Sequence, residues 1–82
     1  MKYVYLLQSI PNPDQRYIGL TSNIETRLAA HNAGQSSHTA KYRPWQIITY
    51  HAFVDETKAA AFEIYLKSCS GRAFGHKHFW AD

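Results

Sequence analysis

The first twenty residues constrain the fold more than any other stretch, because they combine two strand-like runs with a turn. Residues 2–7 and residues 16–20 are rich in aromatic, β-branched and other apolar side chains. Residues 9–15 between them hold two prolines and an aspartate, which are turn-forming residues. Two such runs joined by such a turn are typical of a β-hairpin.

The register of this hairpin decides which side chains share a face. If Gln8 pairs with Arg16, then Tyr5 lies opposite Gly19, and Tyr17 is a diagonal neighbour on the same face, about 7 Å away between Cα atoms. A shift of two residues would instead place Tyr17 directly opposite Tyr5. In both registers the hairpin carries two phenols beside a glycine, and that patch is either part of the core or part of an active site.

The composition allows one modest hydrophobic core. The chain has 82 residues and a net charge of +3, so we expect a single domain over residues 1–82 with a mildly basic surface. That charge is compatible with a nucleic-acid partner but is well below that of a dense basic patch.

The lone cysteine, Cys69, excludes an intrachain disulfide and a cysteine-based zinc site. The apolar run at the N-terminus is too short for a signal peptide, and no run reaches transmembrane length, which predicts a cytoplasmic protein without a membrane partner.

The pattern after the hairpin predicts a helix and then a loop. Ser22 and Glu25 form a capping box, so a helix should begin there and end near Asn32, with Gly34 after it. Residues 35–44 are polar and end at Pro44, and they are predicted to form a loop.

The second half of the chain predicts one strand and two helices. Residues 45–53 are rich in β-branched and aromatic residues. Asp55 should cap a helix over residues 56–67, and Ser70 should cap a shorter helix that ends at Phe79. The predicted order is β-β-α-β-α-α, an α+β fold in which helices cover part of each face of the sheet, because all three strands carry apolar groups on both faces.

Three ionisable residues lie on the apolar sides of these helices. Arg27 and His31 project toward the same side as the apolar stripe of the first helix, and Glu63 lies about 40° from the stripe of the second. An unpaired buried guanidinium is costly, so the first helix requires an anionic partner or a wet cleft.

Each of these residues also has a structural interpretation. Tyr5 and Tyr17 are compatible with core aromatics, His31 with a satisfied core histidine, and Arg27 and Glu63 with an interhelix ion pair. Gly19 would then mark a bulge or a close backbone approach. Likewise, Lys41 and Arg43 beside Tyr42 are compatible with a solvated loop or with a loop that contacts nucleic acid.

The order of these residues resembles a known family. Tyr3-Val4-Tyr5, Tyr17-Ile18-Gly19, Arg27-Leu28 with His31, and Glu63 together look like the GIY-YIG endonuclease superfamily. The chain is similar to its small standalone members, which resemble the N-terminal catalytic domain of the bacterial nucleotide-excision nuclease. The resemblance implies a three-stranded antiparallel sheet flanked by about three helices, and a metal-dependent phosphodiesterase.

The resemblance also implies roles for individual residues. Tyr5 would be the general base or would orient water, with Tyr17 in support, and Gly19 would leave room for the scissile phosphate. Arg27 would bind the phosphate, and His31 would orient or activate the nucleophile.

Glu63 would hold a single Mg²⁺ or Mn²⁺ ion, which binds weakly until substrate arrives because Mg²⁺ keeps most of its waters. The candidate substrate-binding residues are Gly19, Lys41, Arg43, Lys67 and Arg72.

The predicted function is that of a metal-dependent DNA endonuclease, selective for branched or damaged DNA in repair or recombination. The alternatives are a non-catalytic nucleic-acid-binding module and a protein–protein adaptor on the same fold. The sequence does not distinguish DNA from RNA, and so short a chain has little surface for base readout, which suggests a protein partner that supplies specificity. Two departures from the family pattern concern the substrate: Tyr3 stands where the first motif has glycine, and no asparagine follows Asn32.

Overall fold

The computed structural model describes residues 1–80, in which three strands and four helices follow the order β-β-α-α-β-α-α. The elements are β1 (Lys2–Ser9), β2 (Arg16–Thr21), α1 (Ile24–Asn32), α2 (Ser37–Ala40), β3 (Trp45–Phe53), α3 (Glu56–Lys67) and α4 (Cys69–His78). The predicted α+β fold class is confirmed. The last two residues of the predicted 1–82 domain lie outside the described residues, and within residues 1–80 no helix has the length and apolar character needed to cross a membrane.

The three strands form one antiparallel sheet in the order β2-β1-β3, so the N-terminal strand is central. The hairpin register is the first of the two predicted: Gln8 pairs with Arg16, and Tyr5 pairs with Gly19. On the other side of β1, Tyr5 pairs with Tyr50, and the register shifts between Leu6 and Leu7. Tyr5 therefore lies in the middle of the sheet, paired on both sides.

The alternation of β1 separates two cores, one on each face. Val4 and Leu6 face α3 and pack with Ala59 and Leu66. On the opposite face, Tyr5 and Leu7 pack with Trp45 and with side chains of α1 (Ile24 and Leu28). Helices cover both faces, as the apolar pattern predicted, and α1 and α3 lie on opposite sides of the sheet.

The first helix begins one residue later than the capping box predicted. Asn23, not Ser22, is the N-cap, and its side chain accepts a hydrogen bond from the backbone N–H of Thr26. Thr21 fixes this choice, because its hydroxyl accepts from the N–H of Asn23 and donates to the Asn23 carbonyl, each at 3.2 Å. Those two bonds hold Asn23 in the extended conformation that an N-cap requires.

The predicted loop over residues 35–44 contains a helical turn, α2. Its backbone closes through the carbonyl of Ser36, which accepts from Thr39 and Ala40. Tertiary contacts hold this turn: the indole N–H of Trp45 donates to the Thr39 carbonyl at 2.8 Å, and the Thr39 hydroxyl bonds to His31. Polar composition alone predicts a loop, and these contacts override it.

The last helix begins two residues earlier than predicted, since its N-cap is Ser68 and not Ser70. The Ser68 hydroxyl accepts from the N–H of Gly71 and donates to the carbonyl of Tyr65, so one side chain ends α3 and starts α4. A Cβ at Gly71 would overlap the Tyr65 carbonyl, so this glycine permits the close turn between the two helices.

Candidate active site

The centre of the candidate site is the phenol of Tyr5. The residue is 2% exposed, and its ring lies across the neighbouring strand over Gly19. A Cβ at Gly19 would overlap the end of that ring, including the hydroxyl. The missing side chain of Gly19 thus makes space for Tyr5, while its predicted contact with a scissile phosphate stays a prediction.

Arg27 lies at the open side of this phenol. Its Nε donates to Tyr5 Oη at 3.4 Å, and the residue is exposed. The alternative that Arg27 forms an ion pair with Glu63 is wrong, because Glu63 is on α3, across the sheet, and pairs with Lys67. Of the two solutions that the sequence left open for Arg27, the structure has the wet cleft.

His31, unlike Arg27, is buried: it is 1% exposed, and each of its ring nitrogens has a hydrogen-bond partner. Nε2 is 3.0 Å from Tyr5 Oη, and Nδ1 is 2.8 Å from the hydroxyl oxygen of Thr39. The Thr39 hydroxyl donates to the Ser36 carbonyl at 3.5 Å, so its oxygen is available to accept from His31. We therefore assign the proton of neutral His31 to Nδ1, which leaves Nε2 to accept the hydrogen of Tyr5.

Thr39 is the site residue that the sequence analysis missed. It is fully buried, and its hydroxyl oxygen is the partner of His31 Nδ1 on which the assigned tautomer rests. The only signal in the sequence is a threonine eight residues after a histidine, in a stretch whose composition predicts a solvated loop. Its contact depends on α2, which folds back onto α1, and that arrangement is a tertiary one.

The electrostatics of the site keep both titratable groups neutral near pH 7. Burial raises the pKa of Tyr5 above 10.0, although the Arg27 hydrogen bond acts in the opposite direction. Burial, and then the charge of Arg27, lower the pKa of His31 below 6.5. Tyr5 is thus a phenol and His31 a neutral imidazole, which is the pairing that a proton transfer from Tyr5 to His31 requires.

Tyr17 completes this cluster of rings. Its ring is 6.2 Å from that of Tyr5 and meets the imidazole of His31 edge to face at 4.8 Å, measured between centroids. The two predicted tyrosines therefore share a site with His31, in the diagonal arrangement that the hairpin register predicted.

Glu63 occupies a different position from the other predicted catalytic residues. Its side chain is 16% exposed, and Oε2 is 2.5 Å from Nζ of Lys67, one turn later in α3. The same oxygen is buried, and the ammonium of Lys67 is the partner that the structure shows for it within residues 1–80. Lys67, the ion-pair partner of Glu63, lines a cavity at the β2 edge together with Tyr17. Glu63 is therefore linked to the tyrosine cluster through Lys67.

The predicted substrate-binding cations lie in two places. Lys67 and Arg72 line a cavity beside Tyr17. Lys41 lies over the ring of Tyr42, 5.6 Å from its centroid. The guanidinium of Arg43 lies against Gly34, where a Cβ would overlap it, at a residue whose φ is +80°.

Tyr3, the departure from the first motif, packs against Tyr50, the partner of Tyr5 on β3. The two rings meet edge to face at 6.1 Å, and both line a separate cavity near the start of α1. The bulk of Tyr3 therefore adds an aromatic surface beside that cavity.

Comparison with known proteins agrees with this geometry. The family model described as the GIY-YIG catalytic domain matches residues 1–77. The chain is 33% identical to UPF0213 protein SH2523 of Staphylococcus haemolyticus, over 83% of this chain and 82% of that protein.

Two longer relatives come from yeasts and carry the name structure-specific endonuclease subunit SLX1. The chain is 40% identical to the protein of Debaryomyces hansenii, over 73% of this chain and 19% of that protein. It is 38% identical to the protein of Scheffersomyces stipitis, over 80% of this chain and 22% of that protein. The chain thus spans about a fifth of the length of the SLX1 proteins that it matches.

Proposed function

The chain belongs to the family of GIY-YIG catalytic domains, and from that premise we propose that it is a metal-dependent endonuclease that hydrolyses DNA phosphodiester bonds, with a preference for branched or damaged DNA. The names of the SLX1 relatives, structure-specific endonuclease subunits, support both the reaction and the preference. The word subunit in those names also supports a protein partner that supplies specificity.

One observation carries this proposal: the hydrogen-bonded chain Arg27–Tyr5–His31–Thr39. A purely structural tyrosine needs one partner for its hydroxyl, whereas Tyr5 has a cation on the open side and a neutral imidazole on the buried side. Such a chain binds an anion near the phenol and provides a destination for its proton.

Tyr5 and His31 together form the general base. An ordinary phenol has a pKa of about 10, so its anion at pH 7 costs roughly 4 kcal/mol, and burial of Tyr5 increases that cost. Proton transfer to Nε2 of His31 removes the need for a free tyrosinate, because the phenol gives up its proton as it takes one from the attacking water. A positioned acid–base group of this kind contributes roughly 10²–10⁴-fold to the rate.

Arg27 binds the phosphate. Because the guanidinium is exposed and donates to Tyr5 Oη, a phosphate oxygen on Arg27 lies next to the phenol that acts on water. The positive charge then offsets the negative charge that develops on the phosphorus oxygens in the transition state.

Glu63 is the residue that would hold the divalent ion. Its buried carboxylate oxygen, which pairs with the ammonium of Lys67 in this structure, is a hard donor suited to Mg²⁺ or Mn²⁺. A bound ion would polarise a phosphate oxygen and lower the pKa of a coordinated water. Lys67 pairs with the carboxylate and lines a cavity at the β2 edge together with Tyr17.

A cleavage assay with three DNA forms tests this proposal. The purified protein should cut branched DNA in the presence of Mg²⁺ or Mn²⁺ and cut duplex and single-stranded DNA more slowly. Glu63→Gln should abolish cleavage at every metal concentration, while Glu56→Gln, which removes an exposed carboxylate from the same helix, should cleave like the wild type.

Two outcomes would count against the proposal. Cleavage at the wild-type rate by Glu63→Gln would remove the metal role of that residue. Binding of all three DNA forms without cleavage would identify a non-catalytic nucleic-acid-binding module.

A further inference from the structure

A cavity of about 460 Å³ lies beside the candidate active site, at the edge of β2 where α3 and α4 meet it. Its volume is within the range of small-ligand sites in proteins. Ile18 and Leu66 provide an apolar wall, and Arg16, Lys67 and Arg72 provide three positive charges. Of these five residues, only Lys67 and Arg72 were candidate substrate-binding residues from the sequence.

The aromatic side of this cavity is the indole of Trp80. The guanidinium of Arg16 lies over it, 5.1 Å from the ring centroid. The edge of the indole lies against α4, because a Cβ at Gly75 would lie 3.1 Å from Nε1 of Trp80. The helix and the cation thus hold the indole in place, so a planar ligand would meet the Arg16–Trp80 pair as a surface that is already formed.

The charge of the cavity favours an anionic ligand. Glu63 offsets the charge of Lys67 by pairing with it, and Arg72 adds a further positive charge to the lining. Cations beside an aromatic plane suit a ligand with both a phosphate and a flat ring, which is the chemistry of a nucleotide.

Tyr17 connects the cavity with the candidate active site. It lines the cavity and also contacts His31 edge to face. Lys67 likewise lines this cavity and the neighbouring one that contains Thr39. A strand whose phosphate lies on Arg27 could therefore continue along the β2 edge into the cavity.

We propose that this cavity binds an unpaired nucleotide of the substrate strand next to the scissile phosphate, with its base against the Arg16–Trp80 stack and its phosphate on Lys67 and Arg72. The inference rests on the proposed function, because it assumes a nucleic-acid substrate. A base within a duplex is stacked and paired, and only an unpaired base offers its face to an indole. The cavity thus selects DNA that has a single-stranded segment beside the cut.

Equilibrium binding tests this without any need for cleavage. Three labelled duplexes are compared by fluorescence anisotropy in the Tyr5→Phe background: one with a short single-stranded flank, one with an abasic flank of equal length, and one with blunt ends. The flank with bases should bind about tenfold more tightly than the abasic flank, as expected for loss of one stacking contact. It should also quench tryptophan emission, since Trp45 is 4% exposed and Trp80 lines the cavity.

Variants test the base contact and the phosphate contact of the nucleotide separately. Trp80→Leu should lose the advantage of the flank with bases, and Trp80→Phe should keep most of it. Arg72→Gln should lower the slope of log affinity against log salt by about one. Lys77→Gln, on an exposed residue of the same helix that does not line the cavity, should leave the slope unchanged.

Equal affinity for the flanks with and without bases in the Tyr5→Phe protein would overturn the inference, and so would an Arg72→Gln slope equal to that of Lys77→Gln. Neither result depends on a folded Trp80→Leu variant. Failure of the proposed function has a different signature, which is the absence of cleavage by the wild type, whatever the three duplexes show.

Discussion

Removal of one buried hydroxyl, that of Thr39, should impair the chemistry of His31 while leaving its ring in place. Thr39→Val keeps the shape of the side chain and deletes the oxygen that lies 2.8 Å from His31 Nδ1. The Thr39 carbonyl, which accepts from Trp45, is unaffected because it belongs to the backbone. The substitution thus acts on the proton position in the imidazole more than on the packing.

The size of the effect follows from the cost of an unsatisfied buried donor, about 1–3 kcal/mol. In the Thr39→Val protein, the Nδ1–H tautomer of His31 loses its acceptor, and the alternative tautomer puts the proton on Nε2, where it faces Tyr5 and blocks transfer. A cost of about 1.4–2.7 kcal/mol for the productive tautomer corresponds to a rate about 10- to 100-fold lower.

The assay is single-turnover cleavage across a pH series. His31 must be neutral to accept a proton, so the acidic limb of the wild-type profile should lie below 6.5, the direction in which burial and Arg27 move its pKa. The Thr39 oxygen stabilises the imidazolium more than the neutral ring, because hydrogen bonds to charged groups are stronger. Thr39→Val should therefore move the acidic limb to still lower pH, and Thr39→Ser should restore both rate and profile.

Cleavage by Thr39→Val at the wild-type rate with an unchanged pH profile would show that the Thr39 hydroxyl does not act on His31. A Thr39→Ser variant as impaired as Thr39→Val would show the same, because a loss that the hydroxyl does not rescue concerns packing. Thermal unfolding of the variants provides the control, since about 1 kcal/mol shifts the melting temperature of a domain this small by roughly 4–8 °C.

Three further predictions concern other parts of the fold. Gly19→Ala should abolish cleavage and lower the melting temperature, because the new Cβ overlaps the Tyr5 ring; a variant with wild-type cleavage would contradict this. Asp55→Ala should lower the free energy of unfolding by about 1 kcal/mol in urea titrations, because the Asp55 side chain caps α3 by accepting from the backbone N–H groups of Thr57 and Lys58. An unchanged urea midpoint would argue against this cap. Burial lowers the pKa of His51 below 6.5, so the unfolded state binds more protons than the folded state and the free energy of unfolding should fall as pH decreases through 6.5. Calorimetry of His51→Phe should show a smaller decline with pH. An unchanged decline would show that other groups cause it.

Local patterns were sufficient to predict the three strands and the hairpin, but they left two registers open. Tyr5 and Tyr17 share a face in both registers, and the structure has the one in which Gln8 pairs with Arg16. The helix boundaries were less predictable, because Ser22 and Asn23 are both good caps and the Thr21 hydroxyl decides between them. Ser68 and Ser70 pose the same choice, which the close packing of Gly71 against Tyr65 decides.

The sequence predicted only some of the features of the candidate site. The helical period places Arg27 and His31 on one side of α1, but it does not show that one is exposed and the other buried. That difference comes from α2, which covers His31 through Thr39 and leaves Arg27 open. Likewise, the apolar pattern of α3 does not reveal that this helix lies across the sheet from α1, which is why Glu63 pairs with Lys67 and not with Arg27.

In the proposed mechanism, Tyr5 passes the proton of the attacking water to His31. Single-turnover cleavage of branched DNA with saturating Mg²⁺ by the wild type and by Tyr5→Phe tests it most directly, since the variant removes one oxygen and keeps the ring that fills the space above Gly19. The cleavage rate of Tyr5→Phe should be at least about 10²-fold lower, with DNA affinity and melting temperature close to those of the wild type. Cleavage by Tyr5→Phe at the wild-type rate would contradict it.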